Sequence, residues 1–247
     1  MPDSLPVARF CGWVSRRDTG EPDCEDAALV VRQEGRMRAA VSDGAGDSYF
    51  SGPWARTLCS AYCWAWQEPG DAVPNLSEAR QSWQAEASIA GENSPLPWFA
   101  LDVQRERGAF AAFVGLAVHE DSRTWEAVAV GDCCLFQVRG EVVTVTFPLS
   151  QSTDFNSVPT LLSSLADRGV TARTTRGTWQ PGDDFFLVSD ALAAWFLSET
   201  EAGRAPWKWL STVGTVEEFA RRIAVLRESG RLRNDDAALV HLRAEVG

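Results

Sequence analysis

Five short acidic strings recur along this chain, and each of them borders an apolar run. The strings are Cys24-Glu25-Asp26, Ser42-Asp43-Gly44, Gly131-Asp132-Cys133, Ser189-Asp190-Ala191 and Asn234-Asp235-Asp236. Apolar runs that end in acids are typical of strands, so we expect the carboxylates to converge where the strands end. Carboxylates that are crowded together repel one another unless cations hold them. Oxygen ligands in a chain with only two histidines favour Mg²⁺ or Mn²⁺ over zinc.

The length and composition of the chain indicate one globular domain. Its 247 residues are 45% hydrophobic and 23% charged, which is typical of a folded chain with one substantial core. We therefore expect a single domain over residues 1–247. The net charge of −11, without a basic run, argues against nucleic acid or an anionic membrane as the main partner. The first residues lack a signal-peptide pattern, and the sequence has no run of 18 apolar residues, so a cytoplasmic location is expected.

The order of the apolar runs predicts antiparallel sheets that are covered by helices. The predicted elements are a hairpin at 27–32 and 37–42, helices at 51–66 and 77–90, strands at 110–118, 125–130, 135–139 and 142–147, a loop and short helix within 155–168, strands at 171–178 and 184–188, helices at 191–198 and 216–228, and a strand at 237–242. This order lacks alternating βαβ units and indicates the α+β class.

Taken in order, the acidic strings resemble the motifs of a known family. The matching segments are Glu25-Asp26-Ala27, the run from Val41 to Gly46, the run from Val130 to Cys133, Pro181-Gly182-Asp183 followed by the run from Leu187 to Asp190, and the run from Asp235 to Leu239. Together they are similar to the bacterial branch of the type 2C (PPM) metal-dependent serine/threonine protein phosphatases. The resemblance runs from about residue 10 to residue 242, and it rests on the ordered set because no single string is specific. It implies a four-layer α-β-β-α sandwich with two central antiparallel β-sheets flanked by helices.

The resemblance also implies a set of metal ligands, which are acidic side chains and one backbone carbonyl: Glu25, Asp26, Asp43, Gly44, Asp132, Asp190 and Asp235. In this family the residue matching Asp43 bridges two Mg²⁺ or Mn²⁺ ions, and the residue matching Asp132 helps to hold a possible third. The late pair, Asp190 and Asp235, belongs to the first ion, and the early acidic pair belongs to the second. Asp236 stands where the family often has asparagine, and we assign it no role.

The implied function is the hydrolysis of phosphate monoesters on a phosphorylated protein, which opposes a bacterial serine/threonine kinase. A hydroxide that bridges two cations can attack phosphorus at neutral pH because metal coordination lowers the pKa of bound water. An arginine ahead of the early acidic pair is implied to grip the substrate phosphate. The candidates are Arg16 and Arg17. We favour Arg17, which makes Asp43 and Arg17 the predicted catalytic residues, and Arg16 remains the alternative.

Three alanines depart from the family's usual strings, at Ala45, Ala191 and Ala238. They leave open a second hypothesis, in which the chain is a catalytically weak regulatory or binding module that retains the fold. A different phosphatase signature, Cys133 and Arg139 at C-x5-R spacing, is rejected. The five residues between them contain no glycine and have the pattern of a strand, which cannot form a phosphate-cradling loop.

Overall fold

The computed structural model describes residues 6–17, 24–33, 35–46, 48, 50–65, 75–92, 106–156, 159–165 and 169–245. The strands are β1 Val7–Val14, β2 Asp26–Gln33, β3 Arg36–Gly44, β4 Phe110–His119, β5 Thr124–Val130, β6 Cys134–Arg139, β7 Val142–Phe147, β8 Leu162–Ser163, β9 Arg173–Thr178, β10 Asp183–Val188 and β11 Ala237–Arg243. The α-helices with described bounds are α1 Ser51–Trp64, α2 Leu76–Glu92, α3 Asp190–Glu201, α4 Pro206–Leu210 and α5 Val216–Glu228. None of the helices in these ranges is long and apolar enough to cross a membrane.

The strands form two antiparallel sheets. The first has the order β1-β11-β10-β6-β7, and the second has the order β2-β3-β4-β5-β9, with β8 paired to β4. Val41 and Leu116 of the second sheet share one buried cluster with Leu187 and Val240 of the first, so the two sheets pack face to face. Helices α3 and α5 cover the outer face of the first sheet, and α1 and α2 cover that of the second. This α+β arrangement is the predicted four-layer sandwich.

Burial on both faces explains why the central strands are continuous apolar runs. In β3, the consecutive residues Ala39, Ala40 and Val41 are all fully buried, because one face meets the other sheet and the opposite face meets α1. The helix approaches closely at Gly115 of β4, where an added Cβ would lie 2.6 Å from the ring of Tyr62. A side chain at this position would therefore push the helix away from the sheet.

Most predicted elements are present, with ends that differ by a few residues, but two elements were not predicted and one prediction is wrong. Strand β1 was not predicted, because it is an edge strand whose first residues are exposed and give no strong apolar pattern. Helix α4 was also missed, being only five residues long. The helix predicted within 155–168 is wrong where the structure describes that range: a 3-10 helix covers Ser152–Asn156 and β8 follows. Residues 157–158 and 166–168 lie outside the described ranges.

Candidate metal centre

A cavity of about 180 Å³ lies where the five acidic strings meet. Its walls contain all seven residues that the sequence suggested as metal ligands, which are Glu25, Asp26, Asp43, Gly44, Asp132, Asp190 and Asp235. Two further residues with charged side chains, Arg16 and Asp236, also line it. The structure therefore brings together five strings of which the first and the last are more than 200 positions apart in the sequence.

Pairing between β2 and β3 places the first two carboxylates, those of Asp26 and Asp43, side by side. Asp26, at the start of β2, lies directly opposite Asp43, near the end of β3, and Asp43 in turn lies opposite Ala112 of β4. Residues that are directly opposite in an antiparallel pair point to the same face of the sheet, so both carboxylates face the cavity. Like charges in this arrangement destabilise the sheet unless a cation or a proton intervenes.

Burial and mutual repulsion raise the pKa values of these carboxyls. Burial is the largest cause at Asp43, followed by the charges of Asp132 and Asp235, and its pKa rises to about 8. The pKa of Asp26 is raised well above its usual range, first by burial and then by Asp43, although a hydrogen bond from Ser189 opposes the rise. Among the described residues, none offers a hydrogen bond to Oδ2 of Asp26, which is buried. A buried carboxylate oxygen without a partner, beside other acids, fits a hard divalent cation.

Glu25 and Gly44 are held together at the cavity wall. The Oε1 of Glu25 accepts a hydrogen bond from the Ser51 hydroxyl at 2.5 Å, and its Oε2 lies 3.4 Å from Nη1 of Arg16. The backbone N–H of Gly44 donates to the Glu25 carbonyl at 3.1 Å. An added Cβ at Gly44 would lie 2.8 Å from that same carbonyl oxygen, so only glycine lets the two backbones approach. This contact keeps the Gly44 backbone at the cavity, where its carbonyl can serve as a ligand.

Asp236, to which we assigned no role from the sequence, has a structural role. Its Oδ1 accepts the backbone N–H of Arg16, and its Oδ2 accepts that of Glu25, both at 2.7 Å. The side chain is almost fully buried. Asp236 therefore joins the start of β11 to two segments that border the cavity, and its charge strengthens both hydrogen bonds.

Arg233 is the residue at this site that the sequence reasoning missed. Its Nη2 pairs with Oδ2 of Asp190, and its Nε lies 3.3 Å from Oδ2 of Asp235. Its positive charge also opposes the rise in pKa at Asp43 and at Asp132. The arginine stands two positions before Asp235, but no motif in the sequence marks it.

The acidic side chains share the cavity without forming a ready ligand set. Over the ranges that the structure describes, no three His, Cys, Asp or Glu side chains are arranged so that they could hold an ion as they stand. Two of the carboxylates, Asp190 and Asp235, are engaged by Arg233, and Glu25 is engaged by Ser51 and Arg16. Three of the candidate ligands thus have protein partners at one or both of their carboxylate oxygens.

The structure favours Arg16 over Arg17 as the arginine at the cavity. Arg16 lines the cavity wall. The guanidinium of Arg17 instead contacts α5, where Nη2 donates to the Ala224 carbonyl at 3.2 Å and lies 3.3 Å from Glu228. Neighbouring side chains on an extended segment point in opposite directions, so only one of the two arginines can face the acids. The structure therefore places the alternative candidate, Arg16, at the cavity and places Arg17 against α5.

The rejected C-x5-R pair has a structural explanation. Arg139 is on β6 and grips Asp183 with two hydrogen bonds of 2.8 Å, from Nε to Oδ1 and from Nη2 to Oδ2. Cys133 is fully buried, and burial raises the pKa of its thiol. The thiol is thus protonated and the guanidinium is already paired, which is unlike a cysteine-dependent phosphatase site.

Comparisons with known proteins agree with this geometry. A search of curated proteins finds no match. Among solved structures, a bacterial serine phosphatase has a TM-score of 0.63 at 12% identity, covering 98% of this chain and 99% of that one. The catalytic domain of the serine/threonine protein phosphatase PstP, in complex with two manganese ions, has a TM-score of 0.57 at 15% identity, covering 98% and 100%. RsbX in complex with magnesium has a TM-score of 0.55 at 15% identity, covering 97% and 99%.

At these identities, the structural likeness shows the fold. The family is shown by the sequence itself, since the model described as "Protein phosphatase 2C" matches residues 14–236. That match contains all five acidic strings and both candidate arginines, and it leaves only short terminal segments unmatched. The chain therefore belongs to the protein phosphatase 2C family.

Proposed function

We propose that this chain is a single-domain, Mg²⁺- or Mn²⁺-dependent phosphatase that acts on phosphoserine and phosphothreonine in proteins. The observation that carries the proposal is the cavity where seven potential ligands meet around Asp26 and Asp43. Support for the metals comes from the oxygen-rich donors and from the ions in the PstP and RsbX structures. Those proteins are similar in fold, so activity in this chain needs its own test.

The residues of the cavity have distinct roles in this proposal. Asp43 would contribute to holding both of two divalent ions, together with Asp190 and Asp235 for one and with Glu25, Asp26 and the Gly44 carbonyl for the other. Asp132 would help to hold a third, weaker ion. When bound, the ions supply an activated water and neutralise charge on the phosphoryl oxygens. Each carboxyl ligand must be deprotonated for this, so metal binding would release the protons that the raised pKa values of Asp26 and Asp43 retain.

Arg16 holds the substrate phosphate. Its guanidinium borders the cavity beside Glu25, and its backbone N–H is fixed by Asp236. A planar guanidinium can bind two phosphate oxygens at once, which orients the phosphorus toward the metal ligands. The group that protonates the leaving oxygen is not one of the two histidines, since neither His119 nor His241 lines the cavity.

The test is the release of inorganic phosphate from a phosphoserine peptide at several Mn²⁺ concentrations. We expect turnover that requires Mn²⁺, that ends on adding EDTA, and that falls by more than tenfold in Asp43→Asn. Asp121→Asn, in an exposed turn, is the matched control and should keep the wild-type rate. No phosphate release at any Mn²⁺ concentration would refute the phosphatase proposal.

The regulatory-module hypothesis rests on the three alanines that depart from the family's usual strings, Ala45, Ala191 and Ala238. It predicts that Mn²⁺ binds and raises the melting temperature while no phosphate is released. The same titration therefore separates the two functions.

A further inference from the structure

The guanidinium of Arg233 contacts the late acidic pair, Asp190 and Asp235, which lines the cavity. It contacts Oδ2 of Asp190 through Nη2 and Oδ2 of Asp235 through Nε. These two carboxylates come from different elements, the N-terminus of α3 and the loop before β11. Arg233 thus links the two carboxylates through one positive charge. A divalent ion between them would link them through two positive charges.

The loop that carries Arg233 is fixed on both sides. Before it, the Leu232 side chain is buried and its N–H donates to the Leu226 carbonyl at 3.2 Å. After it, the Asp235 carbonyl accepts a hydrogen bond from Nη2 of Arg227, whose Nη1 donates to the Ser15 carbonyl at 2.9 Å. The backbone therefore keeps the Arg233 cation next to the acids, at a high effective concentration.

We propose that Arg233 is a tethered cation that holds Asp190 and Asp235 in the metal-free protein and competes with a divalent ion for them. The proposal rests on the proposed function, because it assigns both carboxylates to a metal ion. The guanidinium and a divalent ion would occupy the same carboxylate oxygens and would repel each other. The ion therefore binds only when the side chain of Arg233 withdraws. With a side chain about half exposed, Arg233 has solvent into which it can move.

The competition has two measurable consequences. Removing the guanidinium frees both carboxylates, so the ion binds more tightly. In the metal-free protein the same change leaves the acids without their counter-charge, so the fold is less stable. If Arg233 instead helped to build the metal site, its removal would weaken ion binding. The two roles thus predict shifts of opposite sign in the dissociation constant.

The experiment measures Mn²⁺ binding by isothermal titration calorimetry and metal-free melting in EDTA, for Arg233→Ala and Arg233→Lys. We expect Arg233→Ala to lower the Mn²⁺ dissociation constant by about threefold to tenfold, the range for one or two partly exposed ion pairs. Its metal-free melting temperature should fall. Arg233→Lys keeps the charge and should lie between Ala and wild type in both measurements.

Arg9→Ala is the matched control, because it removes one positive charge from another half-exposed ion pair, with Glu245. It should leave the Mn²⁺ dissociation constant within about twofold, since separated surface charges are screened. An Arg233→Ala dissociation constant within twofold of wild type, or a higher one, would overturn the proposal. If neither the wild-type protein nor any variant bound Mn²⁺, both the proposed metal centre and the proposed competition would be refuted. Binding without phosphate release would overturn only the phosphatase assignment.

Discussion

Replacing Asp43 by asparagine should stabilise the metal-free protein while it abolishes activity. The pKa of Asp43 rises from an ordinary 3.8 to about 8 in the fold, mainly through burial. Between these two pH values the folded protein keeps a proton that the unfolded chain has lost, so stability falls as the pH rises from about 4 to about 8. At pH 7, which is about three pH units above the ordinary pKa, each unit costs about 1.36 kcal/mol. The free energy of unfolding is therefore lowered by at most roughly 4 kcal/mol.

Asparagine resembles the protonated carboxyl and does not titrate, so Asp43→Asn should recover part of that free energy. A gain of about 2 kcal/mol corresponds to roughly 4–8 °C in melting temperature for a chain of this size. The assay is thermal unfolding in EDTA at pH 7 and at pH 5. At pH 5 the span is only about one unit, so the difference between variant and wild type should shrink to less than half.

With saturating Mn²⁺, the order of stability should reverse, because wild type gains from ion binding and the variant has lost the bridging carboxylate. The control Asp121→Asn should melt like wild type under all conditions. A variant that melts below wild type in EDTA at pH 7, or a difference that grows at pH 5, would refute the reasoning about buried charge.

Three further outcomes are expected. Arg16→Ala should raise KM for a phosphopeptide by about tenfold or more with a smaller effect on kcat, while Arg17→Ala stays within about twofold; the reverse pattern in steady-state kinetics would return the role to Arg17. Arg139→Ala should destabilise the fold by about 3 kcal/mol in urea unfolding, because it removes the guanidinium that pairs with the buried Asp183 carboxylate, and Mn²⁺ affinity should not change. Mn²⁺ at 100 times its dissociation constant should stabilise wild type by about 2.7 kcal/mol. A melting temperature that does not change with Mn²⁺ concentration would count against the metal site.

The convergence of the acids could be predicted from the sequence because each string borders an apolar run, and strand ends lie at the edges of a sheet. Asp26 and Asp43 illustrate this, since the hairpin register alone places them opposite each other. The choice between Arg16 and Arg17 could not be made in the same way. It depends on which side of an extended segment faces the cavity, and a shift of one residue reverses every side chain.

Arg233 and Asp236 were beyond prediction for a different reason. Both act through contacts between segments distant in sequence: Arg233 with Asp190, and Asp236 with the backbone of Arg16 and Glu25. Such contacts depend on the conformation of the loop before β11, which local sequence patterns do not predict. Strand β1 was missed because an edge strand buries too few side chains to produce a clear alternation.

In the proposed function, the acidic cavity binds two divalent ions with Asp43 between them. Anomalous diffraction from crystals soaked in Mn²⁺ is the decisive measurement, because it counts the ions and identifies their ligands. We predict two strong peaks about 3.5–4 Å apart, both in contact with the Asp43 carboxylate. Asp190 and Asp235 should turn from Arg233 to one of the ions. The absence of peaks in the cavity, or peaks that Asp43 does not contact, would contradict the account.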